Sequence, residues 1–519
     1  MRSWGALLAG ALAAACVPRG DPPSGRQVVA DRISLPFAIA PANGDGVTRV
    51  LFERAGQAEG SIDLYVLTLD APGASPVEHL LAAGVVADPS GCPFGQQVCG
   101  GPDARGRLLV FEAAGGGPDQ TTLSRIDPVT GVRTDLGLAR YFQLSPARQQ
   151  LLVYANTPDQ TSVLYDADDR PTPIDTSRGG TFVGEVLYYV TAQHEAMRLA
   201  PGGTPERLAT NVDTASPLST GGDVLVVLSR ATGDSFTSTY SLLDTATMQE
   251  TPSPLGTTPF QLSPDGRWLV TTDYMAETIT FTDWRTGDQD VFQPRPFPHG
   301  YGYEWRPGHA ELWVPNGQDG PSTTWIEQPG QDPVQVPGIA ASLTNLQANG
   351  AGSMFTPDGA YWFSQADPMS NQGLLVGRAD DPTGPRFQLT PPHTNDDGYW
   401  PVPDGRLVVQ AWTKTPELDT AYVVDPATGD ARVMGEEGVL LGVGRTRLLA
   451  NQHMLHGEGD LTVFDLATGQ ATAIAAEFAM GGVVQPTGDD AVAPGAPMAF
   501  RFQARFPSPY DGIWLTTVP

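Results

Sequence analysis

Lysine is almost missing from this chain of 519 residues, in which Lys414 is the only one. Arginine supplies nearly all of the 30 basic residues, against 58 acidic ones, and the formal net charge is −28. A field of this sign repels phosphate backbones and anionic lipid head groups. Nucleic acid is therefore not expected as a partner, and the acidity is interpreted as a well-solvated surface.

Charged residues are scarce as well, at 17% of the chain against roughly 25% in an average domain. That is too few for the charged faces of a helical bundle or coiled coil, which excludes those classes. Glycine and proline, 59 and 48 residues, make up about a fifth of the chain, against roughly 12% in average usage. With 40% hydrophobic residues, wholesale disorder is excluded too. The composition indicates a turn-rich, all-β protein long enough for more than one domain.

Long hydrophobic runs are missing except near the N-terminus, where Gly5 to Ala15 is apolar. This run is shorter than the roughly 20 residues that span a bilayer and is typical of a signal peptide. It ends in Leu12-Ala13-Ala14-Ala15-Cys16, which resembles the lipobox of bacterial lipoproteins except that Ala13 stands where leucine is commonest. The alternative is an ordinary signal peptide with an unrelated cysteine.

We therefore predict a lipoprotein signal peptide at residues 1–15, lipidation of Cys16 and a flexible tether over residues 16–32, which are rich in proline and glycine. Lipidation would be the only contact with a membrane. Val17 rather than an aspartate follows the cysteine, and by analogy this favours the bacterial outer membrane or cell surface.

Only two further cysteines are present, Cys92 and Cys99. An isolated, closely spaced pair in an exported protein is most simply a disulfide that closes a loop. Metal binding would need further ligands close by, and the surrounding sequence contains none.

Short turn sequences recur along the chain. One is a Pro-Asp-Gly turn followed by an apolar strand, in which proline presets the first dihedral, aspartate caps the turn and glycine takes the positive φ. A second is Asp-x-x-Thr-Gly between two strands, at residues 127–131, 283–287, 425–429 and 465–469. We assign a structural role in these turns to Asp265, Gly266, Asp358, Gly359, Asp404, Gly405, Gly287, Gly429 and Gly469.

The turns recur with a period of roughly 40–45 residues and about four short strands each, which is typical of β-propeller blades. The repeats resemble those of TolB-like and WD-like propellers. About eleven units are expected, more than the four to eight blades of common rings. Two tandem rings, residues 33–256 and 257–519, are favoured over one large ring. A strand near Val28 to Leu35 is expected to complete the last blade by pairing with the C-terminal strand.

Catalytic and metal-binding signatures are weak. The sequence contains no GxSxG elbow, P-loop, dinucleotide fingerprint or HExxH pattern. The cluster His453, His456, Glu458 and Asp460 is interpreted as loop polarity. Acidic turns at residues 43–46 and 395–398 would offer oxygen ligands to Ca²⁺ but lack the spacing of an EF-hand. No metal, cofactor or catalytic residue is predicted.

Aromatic residues alternate at Phe297, His299, Tyr301, Tyr303 and Trp305, which places them on one face of an extended segment. If exposed, Tyr301, Tyr303 and Trp305 would stack on sugars or grip a peptide. If buried, they pack between blades, and large aromatic residues are usually core.

Two functions remain open. The first is a lipid-anchored scaffold of the cell envelope that binds an unidentified envelope protein or a glycan without catalysis. The alternative is a propeller-type glycosidase or lyase with acidic residues in its central channel. A purely structural coat of the cell surface is a third hypothesis.

Overall fold

The computed structural model describes most of the chain from residue 22 onwards. The described ranges are 22–31, 33–39, 47–57, 61–69, 75–85, 103–113, 121–155, 161–176, 179–220, 223–231, 238–253, 261–273, 275–294, 303–316, 323–340, 354–365, 375–388, 394–414, 417–455, 458–479, 483–484, 492–503 and 509–519.

Every regular element in these ranges is a β-strand, and the strands form eight antiparallel sheets. No helix in the described part of the chain is long and apolar enough to cross a bilayer. The predicted all-β class with four-stranded antiparallel sheets is confirmed, since six of the sheets have four strands.

The sheets follow one another along the chain, apart from the N-terminal strand, and the strands of each have the following bounds. Sheet 1 contains β2 (Leu35–Ile39), β3 (Thr48–Ala55), β4 (Ile62–Leu69), β5 (Val77–Val85), β6 (Leu108–Ala113), β7 (Thr121–Ile126), β8 (Arg133–Leu144), β9 (Leu151–Ala155), β10 (Ser162–Tyr165) and β11 (Pro171–Ile174). Sheet 2 contains β12 (Gly180–Val183), β13 (Val186–Val190), β14 (Ala196–Leu199) and β15 (Glu206–Ala209). Sheet 3 contains β16 (Thr214–Thr220), β17 (Asp223–Ala231), β18 (Ser238–Asp244) and β19 (Gln249–Pro252). Sheet 4 contains β20 (Gln261–Leu262), β21 (Trp268–Asp273), β22 (Thr278–Asp283) and β23 (Gln289–Phe292).

The second half of the chain continues the series. Sheet 5 contains β24 (Glu304–Trp305), β25 (Leu312–Asn316), β26 (Thr323–Glu327) and β27 (Val334–Pro337). Sheet 6 contains β28 (Ile339–Ala340), β29 (Tyr361–Gln365), β30 (Leu375–Arg378) and β31 (Arg386–Gln388). Sheet 7 contains β32 (Thr394–Pro401), β33 (Leu407–Lys414), β34 (Glu417–Val424), β35 (Ala431–Val443), β36 (Arg447–Leu455), β37 (Glu458–Asp465) and β38 (Ala471–Ala479). Sheet 8 contains β39 (Val483–Val484), β40 (Pro497–Phe502), β41 (Gly512–Thr517) and the N-terminal strand β1 (Arg26–Val29).

Two long strands join successive four-stranded groups within the larger sheets. Residues 133–138 of β8 pair with β7, whereas residues 139–144 pair with β9. In the same way, residues 431–438 of β35 pair with β34 and residues 439–443 pair with β36. Each of these strands is thus the last strand of one antiparallel group and the first strand of the next.

The Pro-Asp-Gly sequences form the hairpin turns between the first and second strands of their groups. In sheet 4 the amide of Gly266 donates to the carbonyl of Ser263 over 2.8 Å, and the carboxylate of Asp265 accepts the amide of Arg267 over 3.1 Å. Gly266 has a φ of 71°, which a residue with a side chain rarely adopts. The corresponding glycines, Gly359 and Gly405, have φ values of 66° and 88°.

The Asp-x-x-Thr-Gly sequences form the turns between the third and fourth strands. The glycine amide donates to the aspartate carbonyl, over 2.7 Å from Gly287 to Asp283 and 2.8 Å from Gly429 to Asp425. The turn that Gly469 closes is built in the same way, and all three glycines have positive φ.

The N-terminal strand β1 closes the fold by pairing with β41, with Arg26 opposite Leu515 and Val29 opposite Ile513. The side chains of Val28 and Val29 are buried. The predicted tether of residues 16–32 is therefore wrong at its C-terminal end, because residues 26–29 are an integral strand. The sequence also predicts that an N-terminal strand pairs with the C-terminal one; that pairing is present, but the strand is Arg26–Val29 rather than a segment from Val28 to Leu35.

The core consists of clusters that each join two consecutive antiparallel groups. Phe281 of sheet 4 packs with Leu312 of sheet 5, and Trp313 of sheet 5 packs with Trp362 of sheet 6. The series returns to its start, because Ile513 of sheet 8 shares a cluster with residues of sheet 1. Similar clusters join sheets 1 to 2, 2 to 3, 6 to 7 and 7 to 8.

The core continues across residue 256, where the sequence predicts a boundary between two domains. Val227 and Leu242 of sheet 3 share a buried cluster with Leu269 of sheet 4. The two halves are therefore joined by the same kind of contact that joins the other neighbouring sheets.

The close approach of Gly512 to β1 yields a test of this closure. Gly512 has a φ of 141°, and a Cβ there would lie 1.9 Å from the carbonyl oxygen of Val29. We expect Gly512→Ala to reduce stability by about 3 kcal/mol, measured by denaturant unfolding, because both the backbone strain and the clash must be relieved.

The matched control for this closure is Gly131→Ala. Gly131 also has positive φ, but a Cβ there meets no atom within 4 Å. The unfolding free energy of Gly131→Ala should decrease by only about 1 to 2 kcal/mol, the backbone strain of a residue with a side chain at positive φ. Equal losses in the two variants would contradict a tightly packed closure.

Candidate functional site

A cleft of about 580 Å³ opens between sheets 6 and 7, on the side of the sheets where the Pro-Asp-Gly and Asp-x-x-Thr-Gly turns meet. We call it the turn cleft. Its lining is made almost entirely of turn residues: Thr356, Pro357, Asp358, Tyr361, Pro401, Val402, Pro403, Asp404, Gly405, Arg406, Leu407, Asp425 and Ala427.

The first wall of the turn cleft is the hairpin turn at residues 356–359. The Thr356 hydroxyl donates to Oδ1 of Asp358 over 2.6 Å, and the amide of Ala360 donates to the same oxygen over 3.0 Å. A Cβ on Gly359 would lie 2.7 Å from the carbonyl oxygen of Pro307 in sheet 5. The turn is thus fixed both internally and against the neighbouring sheet.

Arg306 of sheet 5 anchors this wall from behind. Its guanidinium donates to the carbonyl of Gly359 over 2.9 Å and to that of Ala379 over 3.3 Å. The charge of Arg306 is paired with Glu311 at 3.1 Å, and Glu311 also accepts the side-chain amide of Gln328 over 2.7 Å. Arg306 is buried, so these bonds are shielded from water and hold the wall more firmly than exposed ones would.

The second wall is the turn at residues 402–406, which Arg406 links to the next group of sheet 7. Arg406 pairs with Asp404 at 2.5 Å and donates to the carbonyl of Leu466 over 2.9 Å. Asp425 completes this wall, and its Oδ1 accepts the amide of Ala427 over 2.8 Å. The cleft therefore brings together three carboxylates and one guanidinium.

The carboxyl groups of Asp358 and Asp404 favour ionisation. The Thr356 hydroxyl and the Ala360 amide hold the pKa of Asp358 below its usual value. The Arg406 side chain does the same for the pKa of Asp404. Groups of this kind are anionic at neutral pH and attract a cation, and they are poor proton donors. The arrangement suits recognition of a guanidinium or ammonium group by fixed carboxylates.

The predicted aromatic surface is only partly within the described residues. Tyr301 lies outside them, as do Phe297 and His299. Trp305 is buried and meets Phe281 of sheet 4 edge to face at 5.9 Å. Of the two alternatives that the sequence leaves for Trp305, the structure shows the buried one, because its ring packs between two sheets. Tyr303 is partly buried against the same cluster and its hydroxyl accepts the hydroxyl of Thr272 over 3.2 Å.

Other predicted sites stay predictions because they lie outside the described residues: Cys16, Cys92, Cys99 and the acidic turn at residues 43–46. His453 is exposed and its Nδ1 lies 3.3 Å from Asp460, while His456 is outside the described ranges. Within those ranges, no three His, Cys, Asp or Glu side chains gather as a metal site would require.

Sequence reasoning missed Arg306 and Arg406, which position the two walls. A signal was present, because arginine follows the turn glycine in two copies, at Arg267 and Arg406. Arg267 pairs with Asp283 of its own sheet at 2.6 Å, whereas Arg406 reaches the next group. The same local sequence therefore supports two different contacts.

Comparison with known proteins adds little beyond this geometry. No protein-family profile and no curated protein matches the chain. Among solved structures, it is similar to dipeptidyl peptidase 4 from Porphyromonas gingivalis at 11% identity and a TM-score of 0.36, covering 88% of this chain and 62% of that one.

Two further similarities are with smaller proteins. TolB from Acinetobacter baumannii is 13% identical with a TM-score of 0.23, covering 54% of this chain and 77% of that one. The β-propeller domain of the Trilobed protease from Pyrococcus furiosus is 9% identical with a TM-score of 0.26, covering 79% and 97%. Similarities this low carry no argument about function.

The role of Arg306 is tested by substitution. We expect Arg306→Gln to cost about 3 kcal/mol or more in unfolding free energy, because it leaves Glu311 without its charge partner in a largely buried place. Arg378→Gln is the matched control, since Arg378 pairs with Asp380 at 2.8 Å where both side chains are exposed. This exposed pair should contribute little to stability, because solvent screens its charges. A loss for Arg306→Gln no larger than the control's would contradict the anchoring role.

Proposed function

We propose that this protein is a β-propeller scaffold that uses the turn cleft to bind a basic segment of a partner protein. The observation that carries the proposal is the set of three carboxylates, Asp358, Asp404 and Asp425, around one cleft. Turn hydrogen bonds fix them, and two arginines that bridge neighbouring groups hold the walls. Side chains held in this way lose little conformational freedom on binding, which favours affinity.

The scaffold is proposed to be one ring of eleven blades. If β5, β8 and β35 are each shared by two blades, the eight sheets contain eleven four-stranded groups. Two tandem rings would each close on themselves, so sheet 3 would pack against the start of the chain. Instead sheet 3 packs against sheet 4, and sheet 8 packs against sheet 1. This pattern favours the single ring over the two rings that the sequence suggested.

Binding is favoured over a glycosidase or lyase reaction by the state of the cleft carboxyl groups. General acid catalysis near neutral pH needs a carboxyl group whose pKa is raised. The pKa values of Asp358 and Asp404 are lowered, and both groups already accept hydrogen bonds from their own turns. Fixed anions of this kind suit the recognition of a guanidinium or ammonium group.

The proposed partner is a protein segment that carries arginine or lysine, rather than a glycan. Asp358 and Asp404 are exposed at the cleft surface, and neutral sugars are usually recognised by exposed aromatic rings, of which the lining contains only the half-buried Tyr361. The overall charge of −28 also attracts a basic partner from a distance.

The cleft can be tested with charge-removing substitutions that keep the turns intact. We expect the double variant Asp358→Asn, Asp425→Asn to bind an arginine-rich peptide about thirtyfold more weakly, since removing each of the two charges costs on the order of 1 kcal/mol. Fluorescence polarisation at low and moderate salt measures the affinity, and the salt dependence of binding should decrease in the variant.

The matched control changes the same two turn types elsewhere, as Asp265→Asn with Asp127→Asn. Both residues accept backbone amides of their own turns, from Arg267 and Val129. The control should bind the peptide like the unaltered protein. Equal weakening in both variants would attribute binding to overall charge and overturn the cleft, whereas binding of an oligosaccharide but no peptide would favour a glycan ligand.

We also propose that the scaffold is lipid-anchored in the bacterial cell envelope through Cys16, as the N-terminal sequence predicts. Ten residue steps separate Cys16 from Arg26 at the start of β1. A chain of that length reaches at most about 35 Å. The proposal therefore places sheet 8 and the first strands of sheet 1 near the membrane.

The anchor is tested in a bacterial host by labelling with palmitate. Cys16→Ser should abolish the label and release the protein from the membrane fraction, since the serine cannot carry the thioether-linked lipid. Cys92→Ser controls for loss of a cysteine as such and should keep the label. Continued labelling of the Cys16→Ser protein would rule out this anchor.

A further inference from the structure

The interface between sheets 4 and 5 contains a carboxyl group that no described residue neutralises. Glu327, the last residue of β26, is 3% exposed, and its Oε2 has no hydrogen-bond partner in the described structure. A buried carboxylate without a partner is costly, and such a group either acquires a counter-charge or keeps its proton.

The geometry shows that Glu327 faces sheet 4 rather than solvent. Two residues earlier on the same strand, Trp325 meets Phe292 of β23 edge to face at 5.6 Å. Asp290 lies two residues before Phe292 and therefore on the same side of β23. The turn that follows Glu327 reaches across as well, because the amide of Gly330 donates to Oδ2 of Asp290 over 2.7 Å.

Among the described residues, the charged groups around Glu327 do not offer it a cation. Arg306, on the preceding hairpin turn, is committed to Glu311 and to two carbonyls of sheet 6. In sheet 4, Asp283 is paired with Arg267. The remaining neighbours, Asp290 in β23 and the exposed Asp332 in the turn after β26, are acidic like Glu327 itself.

We propose that Glu327 carries a proton at neutral pH and that this proton stabilises the interface between sheets 4 and 5, so that the ring loosens there in alkaline conditions. Burial, together with the charge of Asp290, raises the pKa of Glu327 to about 8, against an ordinary value of 4.5. Both effects disfavour the charged form. The raised pKa of Glu327 is therefore consistent with its burial and with the unpartnered Oε2.

The sign of the pH effect follows from this raised pKa. Stability from the protonated group is complete below about pH 4.5, where the unfolded chain also keeps the proton. It decreases as the pH rises towards 8 and is lost above that value, where folded protein is deprotonated as well. The interface is thus an alkali-sensitive point of the ring, independent of what the turn cleft binds.

The decisive experiment compares thermal stability of the unaltered protein and Glu327→Gln from pH 4 to pH 9.5. The glutamine mimics the protonated carboxyl group and cannot ionise. We expect similar melting temperatures near pH 4.5 and a growing advantage of Glu327→Gln up to pH 8, with a plateau above. Glu206→Gln, an exposed glutamate in sheet 2, should show no such divergence. Parallel curves for the unaltered protein and Glu327→Gln would overturn the proposal.

A second variant and a direct measurement of the protonated carboxyl group keep the test decisive if Glu327→Gln does not fold. Asp290→Asn keeps an acceptor for Gly330 but removes a neighbouring charge that helps to raise the pKa of Glu327, so the alkaline loss of stability should become smaller and should end at a lower pH. Infrared spectroscopy of the unaltered protein should show the band of a protonated carboxyl group at pH 7 that disappears above pH 9 and is absent from Glu327→Gln. An infrared spectrum without this band at pH 7 would also overturn the proposal.

Discussion

The face-to-face packing of consecutive antiparallel groups is the constraint on which the rest of this structure depends. A four-stranded group with two apolar faces cannot bury either face alone, and each core cluster accordingly draws on two neighbouring groups. Such a series leaves an unburied face at each end unless the ends meet. The pairing of β1 with β41, together with the cluster shared by sheets 8 and 1, removes both exposed faces at once. The two termini are therefore part of the core, and the closure sets the position of every sheet between them.

The polar side of the molecule follows from the same arrangement. Packing brings turns of adjacent groups within reach of one another, and arginines such as Arg306 and Arg406 bridge them through carbonyl oxygens. Aspartates of the turns are used locally, to accept backbone amides, and only some of them have an arginine as well. Local hydrogen bonds leave the negative charge of the carboxylate in place. An acidic surface is thus a consequence of building many turns with aspartate in a chain that has a single lysine.

The sequence predicted those features that depend on neighbouring residues. The turn at Asp265 and Gly266 depends only on its own four residues, because proline, aspartate and glycine each favour the backbone dihedral angles of their positions in the turn. Features that depend on distant residues were missed or misjudged. The alternation of aromatic residues up to Trp305 left exposure and burial both open, because the burial of Trp305 is decided by Phe281 of another sheet. The pairing of an N-terminal strand with β41 was predicted, but residues 26 and 27 were assigned to the tether because the bounds of β1 are set by a partner almost 500 residues away. Likewise nothing near Arg306 in the sequence indicates Gly359 as its acceptor.

Two carboxyl groups, those of Asp358 and Glu327, show why position, rather than residue type, decides what each can do. Asp358 lies at the surface of a turn that supplies a hydroxyl and an amide, and its anionic form is favoured. Glu327 lies between two sheets with an acidic neighbour and no donor, and its neutral form is favoured. The ionised group is accessible to a partner, whereas the protonated group is enclosed and can act only on the packing around it. A reaction that needs an anion and a proton donor together would have to bring these two environments to one place, and the turn cleft contains only the first. The described geometry of the turn cleft therefore suits the recognition of a positively charged group, as proposed above.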